Sequence, residues 1–287
     1  MRKLILSRKG FDTQYGEVPS PIFPDGSVYS LPIPYPNASL RYEDIRFAGG
    51  SLGTIVADLR GAREPMSGGA HLDPDLVAEA RPRPPGWRPS FGQIGNAQAH
   101  LANQGVGPGD LFLFFGLFRP VERCAGQWRY VRAARPRHLI FGWLQVEAVH
   151  RVNMALARRL PWAVDHPHLA DAWTERDNTL YVAAEELVHD GRMVGVAGAG
   201  VVHRVHDDLV LTAPGESPSV WRLPAWLMAD GRVPALSYHE RSPERWTRAD
   251  DGVRLRTVGK GQEFVLDLDR HPEAAAWAVN LLQRSSG

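Results

Sequence analysis

Histidine and aspartate fall at alternate positions in His71-Leu72-Asp73-Pro74-Asp75. Alternate side chains of an extended segment point to one side, so an imidazole and two carboxylates would converge there. Those donors suit a hard or borderline divalent ion such as Mn, Fe or Mg better than a thiol-dependent zinc site. The plainer alternative is that Asp73, just before Pro74, caps a helix over 74–80. His166-Pro167-His168 repeats the alternation, and Pro167 disfavours helix at His166. Two imidazoles on one side of a turn bind a metal ion or a phosphate, or they simply cover the segment that follows. His71, Asp73, His166 and His168 are therefore the candidate metal ligands. His71, Asp73 and His168 are the candidate catalytic groups.

A second set of residues could bind a substrate. Arg8-Lys9-Gly10 follows a short apolar run, with Asp12 close behind. Two cations beside a glycine can cradle an anion, or form a solvated turn. Asn96 and Gln104 one turn either side of His100, with Gln93 and Gln98 nearby, give a helix face amides and an imidazole, which offer both donors and acceptors to the edge of a base. A solvated face is the alternative. Tyr238-His239-Glu240, Trp246 and Gln262-Glu263 could add an aromatic wall with an acid or base. Stacking on such a wall contributes about 1–3 kcal/mol per base. Cys124 lies in a polar loop with no low-pKa surroundings, so it is not a nucleophile candidate.

Other chemistries are excluded. The chain has no G-x-S-x-G, no phosphate-loop motif, no G-x-G-x-x-G after a strand and no H-E-x-x-H. Lys and Arg total 33 against 32 Asp and Glu, a net charge of +1 that offers little neutralisation to a long duplex. A free nucleotide or a single flipped base fits that balance better. One cysteine excludes an internal disulfide and a Cys-based zinc cluster, and fits a reducing compartment. The longest apolar run, residues 111–118, is far short of the roughly 18 residues that span a bilayer. The expectation is a cytoplasmic protein without membrane contact.

The elements that must position these groups are mostly short strands. Gly 28 and Pro 23 are scattered between brief apolar runs, which suits many turns. Strands are expected over 3–7, 28–33, 51–59, 111–116, 138–146, 178–183, 208–212, 220–223, 253–256 and 263–268. Helices are expected over 91–104, 149–160 and 272–284, the last with a proline near its start and an alanine-rich apolar face. The run 111–116 is apolar throughout, so it should be buried on both faces.

Several blocks together resemble one family. They are Ser7-Arg8-Lys9-Gly10-Phe11-Asp12, His71-Leu72-Asp73-Pro74-Asp75-Leu76, Gly109-Asp110-Leu111-Phe112-Leu113-Phe114-Phe115-Gly116, Phe141-Gly142-Trp143-Leu144, His166-Pro167-His168 and Gly261-Gln262-Glu263-Phe264. The set resembles the bacterial and phage family called nucleotide modification associated domain, third type, over nearly the whole chain. That resemblance implies association with gene clusters that modify DNA bases or nucleotides, and it supplies no reaction. A Pro-Gly-Asp turn before an apolar strand is more loosely similar to the opening of PUA-like barrels.

The expected fold is α+β: a β-rich mixed sheet or partly closed barrel, with a PUA-like core, peripheral helices and a C-terminal helix. One domain over 1–287 is expected, with sub-parts 1–160 and 161–287. The leading function is an enzyme acting on a nucleotide or base in a His/Asp-lined pocket, with a divalent metal ion as cofactor. Arg8, Lys9, Asp12, Gln93, His100, Tyr238 and His239 would contact substrate. The alternative is a non-catalytic reader that binds a modified base by stacking and amide hydrogen bonds, using Trp143, Tyr238 or Trp246. A scaffold subunit working with other proteins of a modification pathway is a third reading.

Overall fold

A computed structural model describes residues 1–11, 16–47, 50–64, 66–170, 177–259 and 263–285. Asp12, Trp173, Gly261 and Gln262 lie outside them. The main sheet is built on β1 (Lys3–Arg8), β2 (Ser90–Gln93), β3 (Leu111–Cys124), β4 (Arg137–Arg151), β5 (Thr179–Ala183) and β6 (Glu263–Asp267). Their order in space is β6-β1-β3-β4-β5-β2. The β1–β3 pair is parallel and the other pairs are antiparallel, so the sheet is mixed.

The apolar run at the start of β3 explains the layering. Phe112 and Phe114 face one core with Ile5, Phe91, Leu144, Tyr181 and Val265. Leu111, Leu113 and Phe115 face the other core. Period-two alternation thus buries every residue of the run, half on each side. The second core packs against Trp221 and Leu255 of a three-stranded sheet (Val220–Leu223, Trp246–Ala249, Gly252–Arg256) and against the C-terminal helix Glu273–Ser285.

The first core lies inside a sheet that curls on itself. The outer strands β2 and β6 approach until the Gln93 amide donates to Glu263 Oε1 at 2.6 Å. Closure is partial, because no backbone ladder joins β2 to β6 among the described residues. The helix Gly95–Asn103 leaves β2 directly and packs Leu101 into the same core. Its Gln98 accepts from the Tyr181 hydroxyl at 3.0 Å. The fold is therefore α+β with a partly closed sheet and a C-terminal helix, as the sequence implied.

Several elements differ from expectation. Residues 51–59, expected as a strand, form the helix α1 (Leu52–Arg60). The Ser51 side chain caps it by accepting from Gly53 N–H, and Gly61 ends it at φ 68°. Leu52, Ile55, Val56 and Leu59 recur at helical spacing and face a third core with Phe11, Tyr42 and Ile45. The strand expected over 28–33 shrinks to a bridge at Val28 and the pair Ile33–Pro34, since Pro32 and Pro34 bring no N–H to a ladder. The helix expected over 91–104 begins as β2, and Gly95 at φ 61° marks the break before α2 (Gly95–Asn103). The helix expected over 149–160 is α3 (Met154–Arg159), capped by Asn153 after β4 runs on to Arg151. Residues 208–212 form a 3-10 turn and isolated bridges.

Candidate functional site

Three parts of the chain bring the imidazoles and the aspartate together. The pair Ile33–Pro34 with Ala70–His71 fixes His71, and Asp73 follows two residues later. The short helix α4 (Pro167–Ala170) carries His168, with His166 just before it. Strand β2 supplies Gly92, whose N–H donates to Asp73 Oδ1 at 2.7 Å. The helix expected to be capped by Asp73 is absent, since residues 74–80 hold only a 3-10 turn at Ala78–Ala80. The Asp73 carboxylate turns inward instead.

Around that carboxylate the geometry is tight. His71 Nε2 lies 4.0 Å and His168 Nε2 3.8 Å from Asp73 Oδ2, and His166 Nε2 lies 3.4 Å from Oδ1. One ligand atom each from His71, Asp73 and His168 fall within 4.8 Å of one another. All three imidazoles are buried. Gly92 is required because a Cβ there would meet His168 Cδ2 at 2.2 Å.

Second partners fix which ring nitrogens face inward. His168 Nδ1 lies 2.7 Å from Asn178 Oδ1, and the Asn178 amide donates to the His168 carbonyl at 3.0 Å. The amide nitrogen being so engaged, Asn178 offers oxygen to the ring, so Nδ1 carries the proton and Nε2 keeps its lone pair. His166 is the reverse: its Nδ1 accepts the His168 N–H at 3.2 Å, which leaves the Nε2 proton facing Asp73. Burial holds both His71, at about 3, and His168 below the ordinary imidazole range. They are neutral near pH 7, the form that ligates a metal. Burial alone would raise Asp73, but the three surrounding imidazoles outweigh it and keep the carboxylate ionised.

A second polar group adjoins this centre. Lys9 Nζ is 2.9 Å from Glu263 Oε1, the oxygen that also accepts from Gln93, and it lies 4.4 Å from the Phe91 ring centroid. The Lys9 charge reaches His71 and His168, adding to burial in lowering both. His100 lies 3.0 Å from Ser237 Oγ and packs on Tyr238 with ring centroids 4.3 Å apart. Tyr238 is 43% exposed, whereas Trp143 and Trp246 are core residues whose indole N–H groups donate to Ala197 O and His239 O. Two of the three aromatics named for the reader alternative are therefore core residues.

Other candidates separate from the centre. Strand alternation sends Arg8 with Leu4 and Leu6 to the far face, where its charge acts on His138. Lys9 follows Ser7 to the near face but is neutralised by Glu263, so no free cationic cradle forms there. His239 is fully buried with both ring nitrogens engaged, by Ser237 O and Val258 N. Asp12 lies outside the described residues. Sequence reasoning missed Asn178 and Gly92, whose only signals are a polar residue opening a buried strand and a glycine inside one. Among the described residues no helix is long and apolar enough to cross a membrane.

Residues 3–267 match the family model described as nucleotide modification associated domain 3. No curated protein and no solved structure matches the chain.

Proposed function

The chain belongs to the nucleotide modification associated domain 3 family, and on that premise we propose that it is an enzyme acting on a nucleotide or nucleic-acid base at a divalent metal ion held by His71, Asp73 and His168. The observation that carries this reading is the convergence of these three buried donors, with His168 Nδ1 tied to Asn178 so that Nε2 faces the aspartate. Two imidazoles and one carboxylate suit Fe or Mn and leave coordination positions open. A bound ion would supply Lewis acidity to a substrate or water oxygen at those positions. His166 Nε2 faces Asp73 Oδ1 at 3.4 Å. Asn178 orients His168, and Gly92 fixes the same carboxylate oxygen that His166 faces, leaving Oδ2 toward His71 and His168.

The test is a titration of chelator-treated protein with Fe(II) and Mn(II), followed by calorimetry. One ion per chain is expected, with binding lost in Asp73→Ala and His168→Ala and weakened about 10–100-fold in Asn178→Ala. Failure of the unaltered protein to take up either ion stoichiometrically would overturn the reading.

One observation favours a second reading, a non-catalytic reader. Tyr238 offers an exposed ring backed by His100, and its backbone sits at φ 66°, a conformation rare for tyrosine. That reading expects nucleotide binding to survive Asp73→Ala and fail in Tyr238→Ala, with no turnover by the unaltered protein.

A further inference from the structure

Glu263 is 1% exposed, and both of its donors, Lys9 Nζ and Gln93 Nε2, act on Oε1. Its other oxygen, Oε2, is buried without a hydrogen-bond partner among the described residues. Directly across the β1–β6 ladder stands Ser7, fully buried, whose hydroxyl also lacks a partner among the described residues. Opposed residues of an antiparallel pair share a face, so two unsatisfied polar atoms lie together on the side of the sheet that carries Lys9. Buried polar atoms are almost always paired, and an ionised oxygen is the costliest to leave bare. Something that donates a hydrogen bond belongs there.

The surroundings indicate what that donor is. The Glu263 charge is felt by His100 and Tyr238, the stacked pair whose tyrosine is exposed. Lys9 links the carboxylate to the His71 and His168 side of the site. Gln93 ties the Glu263 carboxylate to the strand whose Gly92 holds Asp73, and the next residue, Phe264, packs edge-on against Tyr238 at 6.1 Å between ring centroids.

Resting on the reading above, we propose that Glu263 Oε2 selects the base, accepting a hydrogen bond from the exocyclic amino group of cytosine, adenine or guanine. Thymine and uracil present a carbonyl oxygen at the corresponding edge position, which a carboxylate repels. Lys9 and Gln93 are positioning residues. By occupying Oε1 they leave its second oxygen to the ligand.

The experiment compares binding of dCMP, dAMP, dGMP and dTMP, and of short single-stranded homo-oligonucleotides of the same bases, to the metal-loaded protein. At least one amino-bearing base is expected to bind about tenfold or more tighter than thymine. Whichever set binds distinguishes a free nucleotide from a strand. Glu263→Gln, which turns an acceptor into a potential donor, is expected to erase or invert that ranking while the protein still takes up one metal ion per chain. An unchanged ranking in Glu263→Gln means Oε2 holds a structural water only and overturns the inference. So does unaltered protein that binds thymine as tightly as the other bases. Should the glutamine variant fail to fold, Glu263→Asp draws the oxygen back by one methylene. It should weaken amino-bearing bases and leave thymine unaffected, and equal weakening of all four overturns the inference. Metal uptake with binding of no base removes the nucleotide reading along with this one. Metal uptake with indiscriminate binding removes only this one.

Discussion

His239 has no exposed surface, and its ring is committed on both sides: Nε2 accepts from Val258 N–H and Nδ1 donates to Ser237 O. Burial, aided by the Arg245 charge, lowers its pKa from 6.5 to about 4. Burial and the Arg8 charge bring His138, which accepts from the Trp221 indole, to about 4 as well. Between those two values the unfolded chain binds protons that the folded chain refuses. Stability is therefore full above pH 6.5, falls as pH drops toward 4, and loses no more from these groups below that. Each contributes on the order of 3 kcal/mol across the window. Urea midpoints measured from pH 7 to 4 should fall accordingly, and His239→Gln should flatten part of the slope. A slope unchanged in that variant would show that His239 titrates normally. The same residue shows the limit of sequence reading: beside Tyr238 it looks like a binding group, and only the fold reveals both nitrogens in use. His71 and Asp73 were legible because spacing within a short segment is a local rule, whereas His168 joins them from the short helix α4 and not from the extended turn its spacing implied. Asn178 was not, because its partner His168 comes from the short helix α4, ten residues back in the chain.

At the scale of elements, legibility followed packing. The runs at the starts of β1, β3 and β6 were readable because burial on two faces leaves a continuous apolar signature. Helix α1 was misread because Thr54, Ile55 and Val56 favour strands, while the Ser51 cap and Gly61 stop that decide the matter are single residues at its ends. Strand β2 was hidden inside a helical pattern, and it is the strand that matters most to the site, since Gly92 holds Asp73 and gives way to His168. The smallest change there should be large in effect. Gly92→Ala places a methyl group 2.2 Å from His168 Cδ2, so α4 must move away from β2. Metal affinity should fall by tenfold or more while the far-face core, with Trp221 and the C-terminal helix, keeps its near-ultraviolet circular dichroism. An alanine variant that binds metal normally would mean that α4 moves freely and that the centre is not held as tightly as these contacts indicate.

For the whole molecule, the question is how residues 71–73 and 166–168, far apart in the chain, are kept together. Asp75, 1% exposed, is bridged by its backbone to Ser90 and held by both guanidinium nitrogens of Arg83 at 2.6 Å. Arg81 then reaches from Asp75 (3.5 Å) to the Asp165 carboxylate (3.1 Å) and donates to the Asp165 carbonyl at 2.8 Å. One side chain thus ties the segment bearing His71 and Asp73 to the segment bearing His166 and His168. It was not legible in sequence, because 80–89 reads only as a proline-rich loop, and the pairing depends on where that loop is laid down. Arg81→Met keeps the aliphatic volume and removes the tie. Asp75 retains Arg83, so the loss of stability should stay below the about 3–5 kcal/mol typical of stranding a buried charge. Metal affinity should drop far more than stability does, because the two halves of the donor set are then free to drift. Calorimetric metal binding and urea unfolding of one preparation separate these effects. Equal losses in both would make Arg81 an ordinary stabilising pair, and a drop in affinity at nearly constant stability would identify it as the clamp that assembles the centre.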